Sequence, residues 1–249
     1  MKIGIVGLGL IGGSIFKDLT ALGYDVIAVS KSQNGKKIFK DYTSLQECNI
    51  VFVCTPMNKT IDVLDELENF LSPKTIVTDV CSLKSFVCKK ERQYRFIPSH
   101  PMAGTEHKGF ENSFEGLFKG AKWVLTPVFG EDEQLVKIIK QLGAIPVITT
   151  PEKHDEAVAL ISHMPMVIAQ AIFKTAQENE LAMEIAASGF RDMTRLAMSN
   201  EEMANDMVTM NSENIQTSIL KLYKAIGDLT NSNYLEQISE IKLNRQSMF

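Results

Sequence analysis

The chain has 249 residues, with 30 acidic and 26 basic side chains and a formal charge of −4 at pH 7; without a basic run, that balance argues against nucleic acid as the main partner. Its 45% hydrophobic and 22% charged residues are ordinary for a soluble globular chain of one large domain or two small ones. Cys48, Cys54, Cys81 and Cys88 form no C-x-x-C pair and are too sparse for a disulfide scaffold, and no uninterrupted apolar stretch approaches the ~18 residues of a membrane span, so a reducing cytoplasm is the expected setting.

The first expected element is a strand over Lys2–Val6, opening an apolar N-terminus with the outline of a signal peptide. No small-x-small cleavage site closes that run before Phe16-Lys17-Asp18, and glycines punctuate it, so the signal reading is set aside. Directly after the strand, Gly7-Leu8-Gly9-Leu10-Ile11-Gly12 is G-x-G-x-x-G, and a helix is expected over 11–22. Gly7 permits the tight turn, Gly9 lets a pyrophosphate approach the backbone, and Gly12 lets helix and strand pack closely. The helix N-terminus, including Leu10 and Ile11, offers free N–H groups and partial positive charge to the phosphates. With strand before and helix after, the pattern points to a dinucleotide.

A second strand is expected over Asp25–Val29. An NAD site usually carries Asp or Glu at this strand's C-terminal end, to bond the adenosine ribose hydroxyls. Here that position is Ser30, followed by Lys31 and Ser32. Loss of the carboxylate removes repulsion against a 2′-phosphate and Lys31 attracts one, so NADP is favoured over NAD. Thr55, after the third strand, joins the expected cofactor contacts. Further strands are expected over 50–54, 75–78, 95–97, 122–126 and 146–149, with helical spacing between them at Ile61, Leu64, Leu67 and Leu71 and at Leu135, Ile138, Ile139 and Leu142. This alternation implies a doubly wound parallel sheet of Rossmann type over residues 1–150.

After Pro151 the strand pattern stops, and residues 151–249 read as an all-α domain. Ile215, Ile219, Leu222, Tyr223 and Ile226 mark one apolar face, and Leu235, Ile238 and Ile241 another. Such a segment cannot cover all its stripes alone, so a C2 homodimer through the helices is expected. Met198, Met203, Met207 and Met210 are expected to be helix packing.

Two further stretches carry chemistry: Ser99-His100-Pro101-Met102-Ala103-Gly104-Thr105-Glu106, and Ser162-His163-Met164-Pro165 with Ser188-Gly189-Phe190-Arg191-Asp192-Met193-Thr194-Arg195. Together with the glycine loop and Thr78-Asp79-Val80-Cys81-Ser82-Leu83-Lys84, they resemble the prephenate/arogenate dehydrogenase family of tyrosine biosynthesis, in order and over nearly the whole chain. The resemblance implies oxidative decarboxylation: a cyclohexadienyl substrate loses hydride from C4 to NAD(P) and releases carbon dioxide. It favours prephenate, giving 4-hydroxyphenylpyruvate, with arogenate as the alternative.

The resemblance implies these roles. His100 is the catalytic base on the 4-hydroxyl, a task suited to imidazole near neutrality. Ser82 hydrogen-bonds in the same cluster. Thr105, ahead of Glu106, contacts substrate or cofactor. His163 lines the substrate pocket on a helix that Pro165 should kink or break. Arg195 holds the ring carboxylate as a planar bidentate donor, oriented by Asp192. His107 and His154 are taken as surface residues, and no metal is expected, since His100 and His107 lack further ligands at metal spacing. Some relatives carry a histidine where this chain has Met166, which bears on the substrate side chain. The chain is expected to lack a fused regulatory or mutase domain. A β-hydroxyacid dehydrogenase or imine reductase shares the domain plan but not the His100 motif; a module that senses NADP without turnover is the rival outside enzymes.

Overall fold

The computed structural model describes residues 1–105, 107–231 and 233–248. Six parallel strands form the main sheet: β1 (Lys2–Val6), β2 (Asp25–Val29), β3 (Ile38–Phe39), β4 (Ile50–Val53), β5 (Ile76–Asp79) and β6 (Arg95–Phe96), in the order β3-β2-β1-β4-β5-β6. The order reverses between β1 and β4, the switch point where such sheets open a crevice at the carboxyl ends of their strands. Helix α1 (Leu10–Ala21) follows β1 and α2 (Met57–Leu67) follows β4.

Side-chain alternation places each strand between two cores. Ile3, Ile5, Ile50 and Phe52 enter one core with Ile15 and Leu19 of α1. Val6, Val51, Val53 and Val77 enter the other with Leu64 and Leu67 of α2.

A second sheet was not anticipated. β7 (Ser99–Pro101) pairs antiparallel with β8 (Lys122–Leu125), which pairs parallel with β9 (Ile145–Ile148). The runs expected over 122–126 and 146–149 therefore sit outside the parallel sheet. Buried Trp123 of β8 ties the two sheets, its ring centroid 6.3 Å from Phe52 and 5.1 Å from Phe118. Helix α3 (Glu133–Gln141) begins where the Asp132 carboxylate accepts the N–H groups of Gln134 and Leu135, and its Leu135, Ile138 and Ile139 join the first core.

The helical half starts with α4 (Pro151–Val158). Thr150 caps it by accepting the Lys153 N–H, and Pro151 occupies the first turn. A π-helical turn (Ala159–His163) joins it to α5 (Met164–Ala176). Of the kink or break expected at Pro165, the break does not occur, and the regular α-helix is instead interrupted by this π turn just before it. The wider turn that precedes it accommodates the ring and the missing N–H while the helix runs on. The run Pro151–Ala176, although Glu152, Lys153, Asp155 and Glu156 interrupt its apolar residues, is long and apolar enough, by length and composition, to cross a membrane. One face of it nevertheless carries buried His154, Asp155 and His163.

The chain continues through α6 (Glu180–Glu184), α7 (Ser188–Thr194), a 3₁₀ turn (Arg195–Met198), α8 (Glu201–Met210), α9 (Ser212–Asn231) and α10 (Tyr234–Met248). Met57, Cys81 and Leu83 meet Val158, Met166, Ala204 and Met207 in a third core, with Met102 and Leu196 at its margin. This seam joins the two halves. Of the four methionines expected to pack, only Met207 is buried; Met203 and Met210 are exposed and Met198 is 82% exposed. The reason is general to this half, since Leu181, Ile185, Leu220, Tyr223 and Leu235 also face outward.

Candidate active site

The glycine loop lies at the carboxyl end of β1, on the switch-point edge. Gly7 adopts φ +92°, open to glycine but not to most L-residues. A Cβ at Gly12 would stand 2.0 Å from the Gly7 carbonyl oxygen, so only glycine lets α1 start this close to β1. Above Gly9 a Cβ would meet nothing within 4 Å, leaving an open cradle. The first intrahelical bond is donated by Gly13 N–H to Gly9 O at 2.9 Å, so the N–H groups of Leu10, Ile11 and Gly12 remain for a ligand. These features fit a pyrophosphate.

Ser30 and Lys31 follow β2, as expected. Ser30 is buried: its N–H donates to Phe39 O and its Oγ accepts the Gln33 N–H. Lys31 is exposed, and Lys40 Nζ holds this turn by donating to the carbonyls of Ser30, Lys31 and Gln33 at 3.0, 3.2 and 2.6 Å. Thr55 follows β4, its Oγ1 3.0 Å from Thr60 Oγ1, which in turn lies 3.1 Å from Cys81 Sγ. That chain of contacts links the dinucleotide edge to the loop bearing Ser82.

A fully buried ion pair builds the neighbouring wall. Lys84 Nζ donates to Asp79 Oδ2 and, at 2.6 Å, to the Ser99 carbonyl. Asp79 also accepts the N–H groups of Ser99 (3.1 Å) and Cys81 (2.9 Å). Each charge thus has its opposite and neutral hydrogen-bond partners, which a buried pair needs. The pair fixes Ser99, and so His100, against the loop carrying half-buried Ser82.

His100 is at the centre of β7, opposite Val124. Its Nδ1 is 2.9 Å from His154 Nε2, and His154 Nδ1 is 2.8 Å from Asp155 Oδ1. Asp155 also accepts the Lys84 N–H at 2.8 Å and the Ser85 N–H at 2.9 Å. Burial pushes His100 well below the usual imidazole value of 6.5, and positive charge at His154, Lys84 and His163 would push it the same way. Burial alone would raise Asp155, but hydrogen bonds from His154, Ser85 and Lys84 outweigh it and hold the carboxyl below its ordinary value.

His163 is buried at the end of the π turn. Its Nδ1 is 3.1 Å from Asn211 Nδ2, which also donates to the Asp155 carbonyl at 2.9 Å, while its Nε2 is buried with no partner. Burial lowers its pKa to about 4, His154 adding to the effect and Asp155 opposing it.

Arg195 and Thr105 are exposed, and Glu106 lies outside the described residues. Asp192 stands 3.7 Å from Arg191, and no ion pair among the described residues joins it to Arg195. Arg195 is nonetheless adjacent to Leu196, which borders the same seam as Met102, Cys81 and Leu83. Sequence reading missed His154, Asp155, Lys84 and Asn211. His154 in particular is no surface residue: it is 2% exposed, because α4 docks on β7 and the loop after β5. A signal was available, since His154 and Asp155 share helical spacing with Val158 and Ala159, all four buried. A cleft of about 610 Å³ lined by Asn49, Thr75 and Arg95 opens at the amino ends of the strands, the wrong edge for the dinucleotide.

Comparisons with known proteins agree with this geometry. The family description "Prephenate dehydrogenase, nucleotide-binding domain" matches residues 27–144, and "Prephenate dehydrogenase, dimerization domain" matches residues 150–241. The Bacillus subtilis prephenate dehydrogenase is 31% identical over 85% of this chain, and the chain spans 64% of that relative's length. The structure of Synechocystis arogenate dehydrogenase is 33% identical, with TM-score 0.82, covering 99% of this chain and 97% of that one. That of Aquifex aeolicus prephenate dehydrogenase, in complex with hydroxyphenyl propionate and NAD+, is 26% identical with TM-score 0.86, covering 100% and 98%. The fold, the dinucleotide edge and these matches over both halves make this chain a member of the prephenate/arogenate dehydrogenase family of NAD(P)-dependent oxidoreductases.

Proposed function

We propose that the protein is a prephenate dehydrogenase that uses NADP in preference to NAD, converting prephenate to 4-hydroxyphenylpyruvate. The observation that carries this is His100: partly exposed, anchored through Nδ1, with Nε2 bonded to no described residue, beside the edge that carries the glycine loop. When bound, the nicotinamide supplies the acceptor for the C4 hydride. His100 takes the proton of the 4-hydroxyl as positive charge develops at C4, then returns it to the ring oxygen as the carboxylate leaves as carbon dioxide. Ser82 orients the hydroxyl. Arg195 holds the ring carboxylate, and Thr105 and the unpartnered Nε2 of His163 contact substrate or cofactor.

Gly7, Gly9, Leu10, Ile11 and Gly12 cradle the pyrophosphate and Thr55 contacts the cofactor, while Ser30 and Lys31 receive the 2′-phosphate. Residues 1–150 form the dinucleotide domain and 151–249 the helical one, which pairs two copies as a homodimer in the cytoplasm. The apolar outer side of Pro151–Ala176, with Leu160, Ile161 and Phe173 exposed, faces the second copy rather than lipid. Arogenate is the second reading, favoured by Met166, a buried thioether where some relatives place a histidine.

The test offers prephenate and arogenate, each with NAD and NADP, and follows reduced nicotinamide by absorbance. Prephenate with NADP is expected to give the highest kcat/KM, and Lys31→Ala to raise KM for NADP about two- to fivefold without affecting NAD. Reduction with none of the four pairs would overturn the proposal.

A further inference from the structure

The line of three side chains from β7 into α4 does more than hold a helix in place. We propose that His154 and Asp155 are positioning residues for His100, fixing its tautomer and taking up the proton it receives, so that the base is a His100–His154–Asp155 relay. This rests on the assignment of His100 as the base.

The tautomers follow from the hydrogen bonds. Asp155 is ionised and can only accept, so His154 Nδ1, at 2.8 Å, carries a proton and donates it. In neutral His154, Nε2 is then the acceptor, and His100 Nδ1, at 2.9 Å, must be the donor. His100 Nε2 is therefore a bare lone pair, the form that can accept a hydroxyl proton. Without the carboxylate nothing selects this tautomer over its opposite, in which Nε2 carries hydrogen and cannot act as a base.

The same chain answers an electrostatic difficulty. An imidazolium at His100 faces Lys84 after β5, itself paired to Asp79, together with His154 and His163, and its burial disfavours charge. Transfer of the Nδ1 proton to His154 Nε2 moves the positive charge one ring inward, beside the Asp155 carboxylate. In the forward step the substrate O–H bond breaks and a His100 Nε2–H bond forms, while the His100 Nδ1 proton passes to His154 Nε2. A bound nicotinamide would accept the C4 hydride. On decarboxylation the electron pair of the broken C–C bond reaches the ring oxygen, and the proton returns along the same two bonds. No net proton is gained or lost by the protein. Asp155 is suited to this task because two backbone N–H groups hold its carboxylate in place and Asn211 holds its carbonyl.

Nitrogen-15 spectra of the histidine-labelled intact protein test the first half without any substitution. His100 and His154 are both expected as Nδ1–H tautomers; His100 protonated on Nε2 would overturn the proposal. For the second half, Asp155→Asn is expected to lower kcat roughly 10²-fold, with dinucleotide affinity retained. It should also move the acid limb of kcat/KM to lower pH, since removal of the negative charge disfavours the protonated base. His154→Gln, which accepts from His100 but cannot take up a proton, should lower kcat with little change in KM. Native turnover and an unmoved acid limb in both variants, in a protein whose His100→Asn form is inactive, would end the relay and leave His100 as the base. An active His100→Asn protein would instead end the assignment of the base itself.

Discussion

The switch-point edge of the sheet and the helical half bury their residues in different ways. At the edge, the chain completes its own environment: Asp79, Lys84 and Ser99 are fully buried and mutually bonded, and His100 is anchored to a helix from the other half. In the helical half, Leu220, Tyr223, Leu235 and Leu243 are all at least 67% exposed, as are Ile185 and Met198. So many large apolar side chains left exposed point to an interaction surface rather than a finished exterior. Under the proposed function, the catalytic geometry on the sheet side is set within one chain, and the carboxylate side, where Arg195 stands exposed, is expected to be completed by a second copy. The predictions below break or sharpen that contrast.

The largest effect belongs to the self-contained side. His100→Asn is expected to lower kcat by about 10²–10⁴-fold, the usual weight of a general base, and to leave dinucleotide binding nearly intact. Turnover by reduced-nicotinamide absorbance and affinity by calorimetry separate the two quantities. Equal losses in both would mean that β7 shapes the dinucleotide edge and that the base lies elsewhere.

How much of this was legible along the chain follows the same division. The β1 loop and α1 could be read because their chemistry is local: three glycines in a fixed spacing, a strand before and a helix after. α3 could be read because Leu135, Ile138, Ile139 and Leu142 repeat at helical spacing, all buried as expected. β3 and β7 escaped notice. The first has two residues and the second contains Pro101, and each exists through pairing with a neighbouring strand rather than through propensity. His154 was misread because it stands in the charged run Glu152-Lys153-His154-Asp155-Glu156, which resembles a solvated face. Its burial depends on where α4 docks, and that is tertiary information.

The joint between the halves gives an effect of intermediate size. His163 is buried and neutral, its pKa lowered from 6.5 to about 4. Between those values the unfolded chain binds a proton that the folded chain does not. Stability conferred above pH 6.5 is therefore lost as the pH falls toward 4, on the order of 3 kcal/mol for this residue. His100 shifts in the same direction. Asp155, held below 3.8, loses its contribution only at lower pH. Urea unfolding at pH 7.5 and at pH 5 should show a lower midpoint at the acid value, with the difference reduced in His163→Gln. Midpoints that do not move with pH would mean that the seam opens to water and is no firm joint.

The smallest effect probes the incomplete side and decides whether the contrast has functional meaning. Arg195→Ala should raise substrate KM by about 10- to 150-fold, the weight of a charge-assisted bond of roughly 1.5–3 kcal/mol, with a smaller change in kcat. Since Arg195 lies among exposed Met193 and Met198 on a surface that one chain leaves uncovered, its pocket should depend on assembly. Leu220→Asp with Tyr223→Asp puts charge on the exposed side of α9, far along the chain from Arg195. Sedimentation should show this protein as a monomer, and its substrate KM should rise toward that of Arg195→Ala while dinucleotide affinity stays native. A native KM in a demonstrated monomer would mean that one chain also completes the carboxylate side, and the exposed helices would then serve assembly alone.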